Sequence, residues 1–346
     1  MRSEDIAKLA GVSRSTVSRV LNNYPDIPQK TREKVLKIIE QYNYAPNTSA
    51  RVLAGKDTDT IGFFVVSMED RDNVNRIYQN HYFATFVDAV IDTANAAGYY
   101  VLVHTVYAPE DFAKVKLAFL QKRIDGGIIV GTRKNLEMVR EIGRLQKPFA
   151  LIDYDITELL AAHLDQKHIA VINSRDYEGA YAAMEYLIGL GHREIGFIGA
   201  GTATYSGQQR YEAYTDALRA HGLSLNEAFL LKGDFLKKNA YREMKKLLDN
   251  GRMPTAVFAA NDEMAFGVID ACKEKGLRIP EDLSVIGFDD VPASAQLGLT
   301  SVRLPIYDMS KAAVQKIVGM CEHGPVSFST DSYPTELVIR DSCKKL

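Results

Sequence analysis

Residues 5–22 read Asp5-Ile-Ala-Lys-Leu-Ala-Gly-Val-Ser-Arg-Ser-Thr-Val-Ser-Arg-Val-Leu-Asn22, and this stretch decides the fold of the N-terminal part of the chain. It predicts one helix over Glu4–Ala10 and a second over Arg14–Leu21, with Ser3 and Ser13 as the N-caps. The connection between the two helices is about three residues long, which is the spacing of a helix-turn-helix. We therefore expect a small helical domain at the N-terminus.

The second predicted helix has an apolar side and a polar side. The apolar side can pack against the first helix, whereas the polar side is one continuous face. Arginine can bond bidentately to guanine, serine can bond to several bases, and a helix N-terminus suits a phosphate. The pattern favours a DNA-recognition helix, and it leaves open a small helical bundle with a solvated polar face. The polar face consists of Arg14, Ser15, Ser18, Arg19 and Asn22.

A third helix is predicted over Lys30–Tyr42, where apolar residues recur at i, i+3, i+4 and i+7. This helix would close a three-helix core. The predicted core consists of Ile6, Ala7, Ala10, Val17, Val20, Leu21, Val35, Ile38, Ile39 and Tyr42.

Charge is distributed unevenly along the chain. Residues 1–56 contain ten Lys or Arg and five Asp or Glu, a net charge of +5. The other residues contain 32 basic and 39 acidic side chains, a net charge of −7. A basic N-terminal part on a mildly acidic body is typical of a polyanion-binding module joined to something else.

From Thr60 onward, short apolar strands alternate with amphipathic helices, which predicts parallel sheets buried on both faces. So many strands indicate two sheets side by side, with Leu299–Pro305 and Thr335–Arg340 as crossovers or edges. The predicted strands are Ile61–Val66, Tyr100–His104, Gly127–Val130, Phe149–Ile152, His168–Ile172, Glu194–Ile198, Ala256–Ala259 and Leu283–Ile286, and helices include Thr85–Ala97, Tyr177–Leu190, Gln208–His221 and Glu263–Lys275.

Polar residues follow several of these strands, and parallel sheets bind ligands beyond the carboxyl ends of their strands. Two carboxylates, an amide and a guanidinium can grip vicinal hydroxyls, which suits a sugar or another polyol. Residues after strands also cap helices, and we expect Asp262 and Asp290 to be caps. The candidate ligand-binding residues are Asp176, Arg210, Asn261 and Asp289, with Tyr82, Phe83 and Phe235 as candidate aromatic faces for which a core role is equally open.

Several classes of protein are disfavoured. The chain has no run of 18 apolar residues and a polar, acidic N-terminus, which predicts a cytoplasmic protein with no signal peptide and no membrane span. The three cysteines are widely spaced, so we expect neither a disulfide framework nor a metal site. A periplasmic sugar-binding protein would share the body, but the helical head and the polar N-terminus count against it.

An enzyme is the other rival class. Gly199-Ala-Gly201 imitates the start of a dinucleotide fingerprint, but Thr204 stands where the third glycine belongs. The chain has no GxSxG, HExxH or P-loop motif, and its seven histidines are scattered. We therefore predict no catalytic residues and no cofactor.

Residues 5–22, together with Lys30-Thr-Arg-Glu-Lys-Val35 and Tyr44-Ala-Pro-Asn47, closely resemble the lactose/galactose repressor (LacI/GalR) family without gaps. The resemblance implies that Arg14 and Ser15 discriminate operators and that Arg19 contacts a guanine. Pro28 replaces a serine that the family often has, and a proline suits a first helical turn. The DNA-binding set implied by the motif is Ser13, Arg14, Ser15, Thr16, Ser18, Arg19, Asn22, Asn47, Ala50 and Leu53.

Residues 47–57 resemble the hinge helix of that family. Seven or eight residues are too few to be helical alone in water, so the physical expectation is folding coupled to DNA binding. The resemblance makes Leu53 an apolar wedge that enters the minor groove and kinks the duplex. The alternative is a leucine that packs within a linker.

The resemblance implies a small all-α helix-turn-helix head, joined by a hinge helix to an α/β periplasmic-binding-protein-like core of two parallel-sheet subdomains. The boundaries are 1–46 for the head, 47–57 for the hinge and 58–346 for the effector-binding and dimerisation core. Within the core, the N-subdomain is expected at about 58–173 and 300–325, and the C-subdomain at about 174–299 and 326–346. The segment 67–80 is longer than in many relatives, which leaves its contacts open.

The family mechanism is allosteric. A homodimer would place two heads on a pseudo-palindromic operator, because two-fold protein symmetry requires two-fold half-sites. A small effector, expected to be a sugar, would bind between the subdomains and change the affinity for DNA. Because the sequence stops at Lys344-Lys-Leu346, close after the last predicted strand, we expect a dimer and not a tetramer.

Overall fold

The computed structural model describes residues 1–45, 57–67, 80–131, 136–161, 166–202, 204–325 and 328–346. The chain divides into two compact units, residues 1–58 and residues 59–346. We call the first unit the head and the second the core. Most of the predicted hinge, residues 47–57, lies outside the described residues.

The head consists of three helices, α1 (Ser3–Ala10), α2 (Arg14–Leu21) and α3 (Gln29–Gln41). Ser13 caps α2 as predicted, since its Oγ accepts a hydrogen bond from the backbone N–H of Thr16 at 3.1 Å. Ser3 does not cap α1, because it is the first helical residue and Arg2 occupies the N-cap. The Asp5 carboxylate accepts from the Arg2 backbone N–H instead, at 2.8 Å.

The core of the head is largely the predicted one. Val35 of α3 is fully buried, whereas Tyr42 is 44% exposed, so its predicted core role is wrong. The reason is that α3 ends at Gln41 and the chain turns through Asn43, which has a left-handed φ of 46°. Tyr44 packs against the core in its place. The other buried side chains are Ile6, Ala7, Ala10, Val17 and Val20, with Leu21, Ile38 and Ile39 partly buried against them.

The remaining unit contains two six-stranded sheets, and this confirms the predicted pair of mainly parallel sheets. The strands are β1 (Thr60–Val66), β2 (Tyr100–Val106), β3 (Gly126–Val130), β4 (Phe149–Ile152), β5 (Ile169–Ser174), β6 (Ile195–Gly199), β7 (Leu230–Lys232), β8 (Ala256–Ala259), β9 (Ser284–Asp289), β10 (Thr300–Arg303), β11 (Ser329–Tyr333) and β12 (Glu336–Val338).

Helices alternate with these strands. They are α4 (His81–Ala96), α5 (Phe112–Leu120), α6 (Leu136–Arg144), α7 (Ile156–Ala161), α8 (Asp176–Gly189), α9 (Tyr205–Ala220), α10 (Lys237–Asp249), α11 (Asp262–Glu274), α12 (Pro292–Gln296) and α13 (Ile306–His323). Among the described residues, no helix combines the length and the apolar character that a membrane crossing would need.

The sheets define two lobes. The first lobe has the strand order β11-β5-β4-β3-β1-β2, and all of its neighbouring pairs are parallel. The second lobe has the order β12-β10-β9-β8-β6-β7, in which only the described pair β10–β12 is antiparallel. Helix α13 packs on the first sheet and α8 packs against β10 and β12 of the second.

Two strands lie in the opposite lobe from the one predicted. Thr300–Arg303 was expected in the N-subdomain, but it pairs with β9 in the second sheet. Ser329–Tyr333 was expected in the C-subdomain, but it forms the edge of the first sheet beside β5. The sequence Ser-Thr-Asp-Ser-Tyr of β11 is polar because an edge strand is half solvated, so it carries no apolar strand signal.

The chain passes between the lobes three times, and the three passages lie side by side. The first, at Arg175, and the third, near Tyr333, are joined by a hydrogen bond from the Arg175 backbone N–H to the Tyr333 carbonyl at 2.8 Å. The second passage follows Arg303, whose Nη1 donates to Glu336 on the third passage at 3.1 Å. These contacts link the third connection to each of the other two.

Candidate DNA-reading surface and effector site

The polar side of α2 is exposed as predicted. Arg14, Ser15, Ser18 and Arg19 are exposed, whereas Val17 and Val20 beneath them are buried. Arg14 makes one loose ion pair with Glu4, at 3.5 Å between Nη1 and Oε1. A surface pair of this kind contributes little stability and leaves the guanidinium able to bind elsewhere.

Hydroxyl groups cluster at the N-terminus of α2. The Oγ of Ser13 lies 2.6 Å from the Oγ of Ser15 and 2.9 Å from the Oγ1 of Thr16. Hydroxyls and free backbone N–H groups at a positive helix end form a suitable cradle for a phosphate oxygen. At the other end of the helix, Asn22 donates from Nδ2 to the Oγ of Ser18 at 3.3 Å.

Arg19 has two partners that the sequence did not reveal. Its Nη2 donates to Oδ2 of Asp26, and its Cζ lies 5.4 Å from the centroid of the Tyr24 ring. Both partners lie in the loop that connects α2 to α3. The predicted hinge contacts Asn47, Ala50 and Leu53 fall outside the described residues, so their roles remain predictions.

In the core, three of the predicted residues, Asp176, Arg210 and Asp289, meet at the guanidinium of Arg210. The Nε of Arg210, on α9, donates to Oδ2 of Asp176 at 2.9 Å, and its Nη1 donates to the Ala260 carbonyl at 2.5 Å. Nη1 also lies 3.4 Å from Oδ1 of Asp289. The guanidinium stacks on the Phe288 ring, with Cζ 3.8 Å from the centroid. All three charged side chains are at most 5% exposed.

Side chains of the first lobe adjoin this group. The Tyr82 hydroxyl, on α4, donates to Oδ2 of Asp153 at 2.8 Å. Ser174 links this pair to the guanidinium, because its Oγ lies 3.4 Å from Oδ1 of Asp153 and 2.5 Å from Oδ1 of Asp176. Tyr82, Asp153, Ser174, Asp176, Arg210 and Asp289 are called the inter-lobe cluster below.

Asp153 was missed in the sequence analysis, although a signal for it exists. It is the first residue after β4, as Asp176 and Asn261 come shortly after β5 and β8. It also adopts a left-handed φ of 55°. A systematic reading of the residue after every strand would have found it.

Burial perturbs the carboxyl groups of the inter-lobe cluster. It raises the pKa of Asp153 to about 6, with a further increase from the neighbouring charge of Asp176. Burial also holds the pKa of Asp289 well above its ordinary value, although Arg210 opposes that shift. The pKa of the Tyr82 hydroxyl is raised by its burial and by the charge of Asp153. Taking charged oxygens out of water without enough compensating cations produces these shifts.

The other predicted effector residues have visible structural roles. Asn261 caps α11, since its Oδ1 accepts from the Met264 backbone N–H at 2.9 Å, while its Nδ2 donates to the Phe235 carbonyl at 3.3 Å. Phe83 is 8% exposed and packs in the main hydrophobic core, edge-on to Tyr82. The effector roles of Asn261, Phe83 and Phe235 remain predictions.

Asp262 and Asp290 do not cap helices in the predicted way. Asp262 is fully buried and accepts from the Val291 N–H and from the hydroxyls of Ser294 and Ser301, at 2.6–2.9 Å. It therefore anchors α12 and β10 to the start of α11. Asp290 pairs with Arg303 and with Arg340, at 2.8 and 2.7 Å.

One further contact bridges the lobes directly. Nδ1 of His81, at the start of α4, lies 2.8 Å from Oε1 of Glu263, at the start of α11.

Across the described ranges, no group of His, Cys, Asp and Glu side chains is arranged to hold a metal ion.

A helix-turn-helix head followed by a two-lobed α/β core, with a polar cluster between the lobes, defines a DNA-binding regulator that carries a ligand-binding core. Residues 4–47 match the family of bacterial regulatory proteins described as the lacI family. Residues 184–343 match the periplasmic binding protein-like domain.

Known relatives share both parts. The chain is 33% identical over 347 residues to the protein named "Probable HTH-type transcriptional repressor ExuR" of Bacillus subtilis (strain 168), covering 99% of this chain and 98% of that protein. Its identity to the repressor PurR of Pasteurella multocida (strain Pm70) is also 33%, with the same coverage. Among solved structures, the lac repressor dimer bound to operator and the anti-inducer ONPF is similar with a TM-score of 0.83, at 26% identity and 99% coverage of both chains. The chain belongs to the lacI family of bacterial transcription regulators, and it is a sequence-specific DNA-binding protein.

Proposed function

We propose that this regulator is a repressor of carbohydrate-utilisation genes and that its effector is a neutral, polyhydroxylated molecule such as a sugar. The observation that carries the proposal is the composition of the inter-lobe cluster. Among the described residues of the cluster, three carboxylates (Asp153, Asp176 and Asp289) accompany one guanidinium, that of Arg210. Asp176 and Asp289 pair with it directly, and Asp153 is linked to it through Ser174 and Asp176.

The charge balance of the cluster supports a neutral effector. Carboxylate oxygens only accept hydrogen bonds when ionised, so their natural partners are the hydroxyl donors of a polyol. A sugar acid or a sugar phosphate would bring more negative charge to a place where burial has already raised the carboxyl pKa values of Asp153 and Asp289. Arg210 is already committed to Asp176 and Asp289, which leaves little of its charge for an anionic ligand.

The position of the cluster supports an allosteric role. Tyr82 and Asp153 belong to the first lobe, whereas Arg210 and Asp289 belong to the second. A ligand that bonds both sets has an affinity that depends on the angle between the lobes. It therefore shifts the population of lobe arrangements in proportion to its differential affinity for them.

We further propose that the protein works in the cytoplasm as a homodimer on a pseudo-palindromic operator. The solved lac repressor relative is a dimer bound to operator, and the α2 surface of this chain exposes the side chains expected to read bases. Two copies of one head fit two symmetric half-sites. Light scattering of the full chain tests this, since a mass of four chains would contradict a dimer.

A calorimetric and thermal-shift screen on the full chain tests the effector. Neutral mono- and disaccharides, sugar acids, sugar phosphates and purines form the four arms. We expect a neutral saccharide to raise the melting temperature and to bind with a measurable heat that Asp289→Asn abolishes. Binding confined to the purine arm or to an anionic arm would contradict the proposed effector class, while leaving the regulator function intact.

A further inference from the structure

The partners of Arg19 point to residues that tune DNA recognition without reading a base themselves. Arg19 is held from two directions, by the carboxylate of Asp26 and by the face of the Tyr24 ring. The side chains of the Arg19–Asp26 pair are 47% and 52% exposed, so the pair lies on the surface of the head. We infer that Asp26 and Tyr24 are positioning residues that determine how selectively Arg19 reads the operator. This inference rests on the proposed role of Arg19 as a base-reading side chain.

The loop that carries both partners is itself fixed. Arg32, on α3, donates from Nη1 to Oδ1 of Asn23 at 2.9 Å and from Nη2 to the Tyr24 carbonyl at 2.5 Å. Asn23 has a left-handed φ of 54°, which turns the chain sharply after α2. The loop is thus tied to α3 immediately before Asp26, and the carboxylate meets Arg19 from a defined direction.

The contact with Asp26 leaves Arg19 able to bind a base. A guanidinium has five N–H donors, and a bidentate contact with guanine uses two of them. Asp26 engages only Nη2. Free arginine side chains sample many rotamers, and the ion pair together with the aromatic face restricts Arg19 before DNA arrives. Such preorganisation lowers the ordering cost of the correct contact.

The negative charge of Asp26 also acts against incorrect contacts. Non-specific binding depends on cations that neutralise phosphates. A carboxylate beside Arg19 offsets one such cation and makes it costly for the guanidinium to swing toward the backbone. Removing the charge therefore increases binding to any DNA and decreases the preference for one base.

Selection from a library of random double-stranded DNA, with the full-length protein, tests the inference. Arg19→Ala first identifies the position in the selected site whose base preference depends on Arg19. Asp26→Asn is expected to lower the preference at that position alone. An exposed ion pair corresponds to a factor of up to about five in an equilibrium constant, so each half-site should lose about that much.

A matched control separates positioning from net charge. Glu40→Gln removes the same charge from an exposed position on α3. It should leave unchanged the base preference at the DNA position that depends on Arg19. Tyr24→Leu removes the ring without changing the charge. It should lower the same preference without increasing the affinity for non-specific DNA.

Each outcome is decisive. An unchanged preference in Asp26→Asn, or an equal loss in Glu40→Gln, overturns the positioning role. A selected site that is unchanged in Arg19→Ala overturns the base-reading role of Arg19 itself, which is a separate failure. If Asp26→Asn does not fold, Tyr24→Leu still tests the positioning role. The base preferences of Arg19→Ala and Arg19→Ala/Tyr24→Leu should then be equal, because a positioning residue has no effect once Arg19 is absent.

Discussion

Arg210 and Asp176 form a buried ion pair in which Nη2 lies 2.8 Å from Oδ2, and the two side chains are 3% and 1% exposed. Nε of the same guanidinium donates to the same oxygen at 2.9 Å. The arginine is thus oriented from within its own lobe, without any contribution from a ligand. A receptor side chain that is already fixed loses little freedom when an effector binds.

Arg210→Ala is expected to reduce the free energy of unfolding by about 3–5 kcal/mol, because it leaves Asp176 and Asp289 buried without their cation. Chemical denaturation measures this loss. Arg219→Ala, on the same helix but exposed, is the control and should change stability by less than about 0.5 kcal/mol.

The same variant separates a binding role from a structural one. Calorimetric titration of folded Arg210→Ala with the saccharide identified in the screen should show no binding. A destabilised variant that keeps the parental dissociation constant would make Arg210 a purely structural residue.

Asp153→Asn is expected to flatten the pH dependence of stability between about pH 4 and pH 6. Burial raises the pKa of Asp153 from its ordinary value of 3.8 to about 6, so the folded protein retains a proton that the unfolded chain has already lost. The contribution of this group to stability therefore falls as pH rises through this window.

The measurement is a denaturation series from pH 4 to pH 7 for the variant and its parent. Asp88→Asn, at an exposed position of α4, serves as the control and should keep the parental slope. An identical slope for Asp153→Asn and the parent would show that Asp153 does not titrate in this range.

Gly287→Ala is expected to destabilise the core by about 1–3 kcal/mol, the usual cost of overpacking. A Cβ at position 287 would lie 2.0 Å from Oδ1 of Asp262, a buried carboxylate that cannot move without breaking its three hydrogen bonds. Thermal unfolding tests this. Gly319→Ala, where a Cβ would meet nothing within 4 Å, should be neutral or slightly stabilising.

Ser13→Ala is expected to destabilise the head by about 1 kcal/mol, because α2 loses its N-cap. It should also weaken DNA binding at low salt, since a hydroxyl is lost from the proposed phosphate cradle. Ser13→Asn restores a cap and should recover the stability. If both variants melt like the parent, the cap contributes nothing to the head.

Periodicity predicted the head and most of the core strands, because a buried strand or helix face needs apolar residues at fixed spacing. It failed where burial is incomplete. The polar β11 carries no apolar signal, and β7 is only three residues long. The lobe assignment of β10 depends on its pairing with β9, which no local pattern in the sequence reveals.

The inter-lobe cluster was predictable in part. Strand ends identified Asp176, Arg210 and Asp289, but only three-dimensional proximity shows that Arg210 pairs with both acids. Asn261 was predicted to bind the effector and not to cap a helix, and the structure shows it capping α11. Asp26 could not be found, since a surface aspartate in a loop has no distinguishing spacing.

The three linked connections between the lobes have a mechanical consequence. One connection would allow the lobes to swing and twist in any direction, whereas three connections linked by Arg175–Tyr333 and Arg303–Glu336 restrict how one lobe can move against the other. We therefore expect effectors of different shapes and chemistries to act through the same restricted motion, by the angle at which they hold the lobes. An activating and an inactivating ligand of this core would then stabilise two different angles between the lobes.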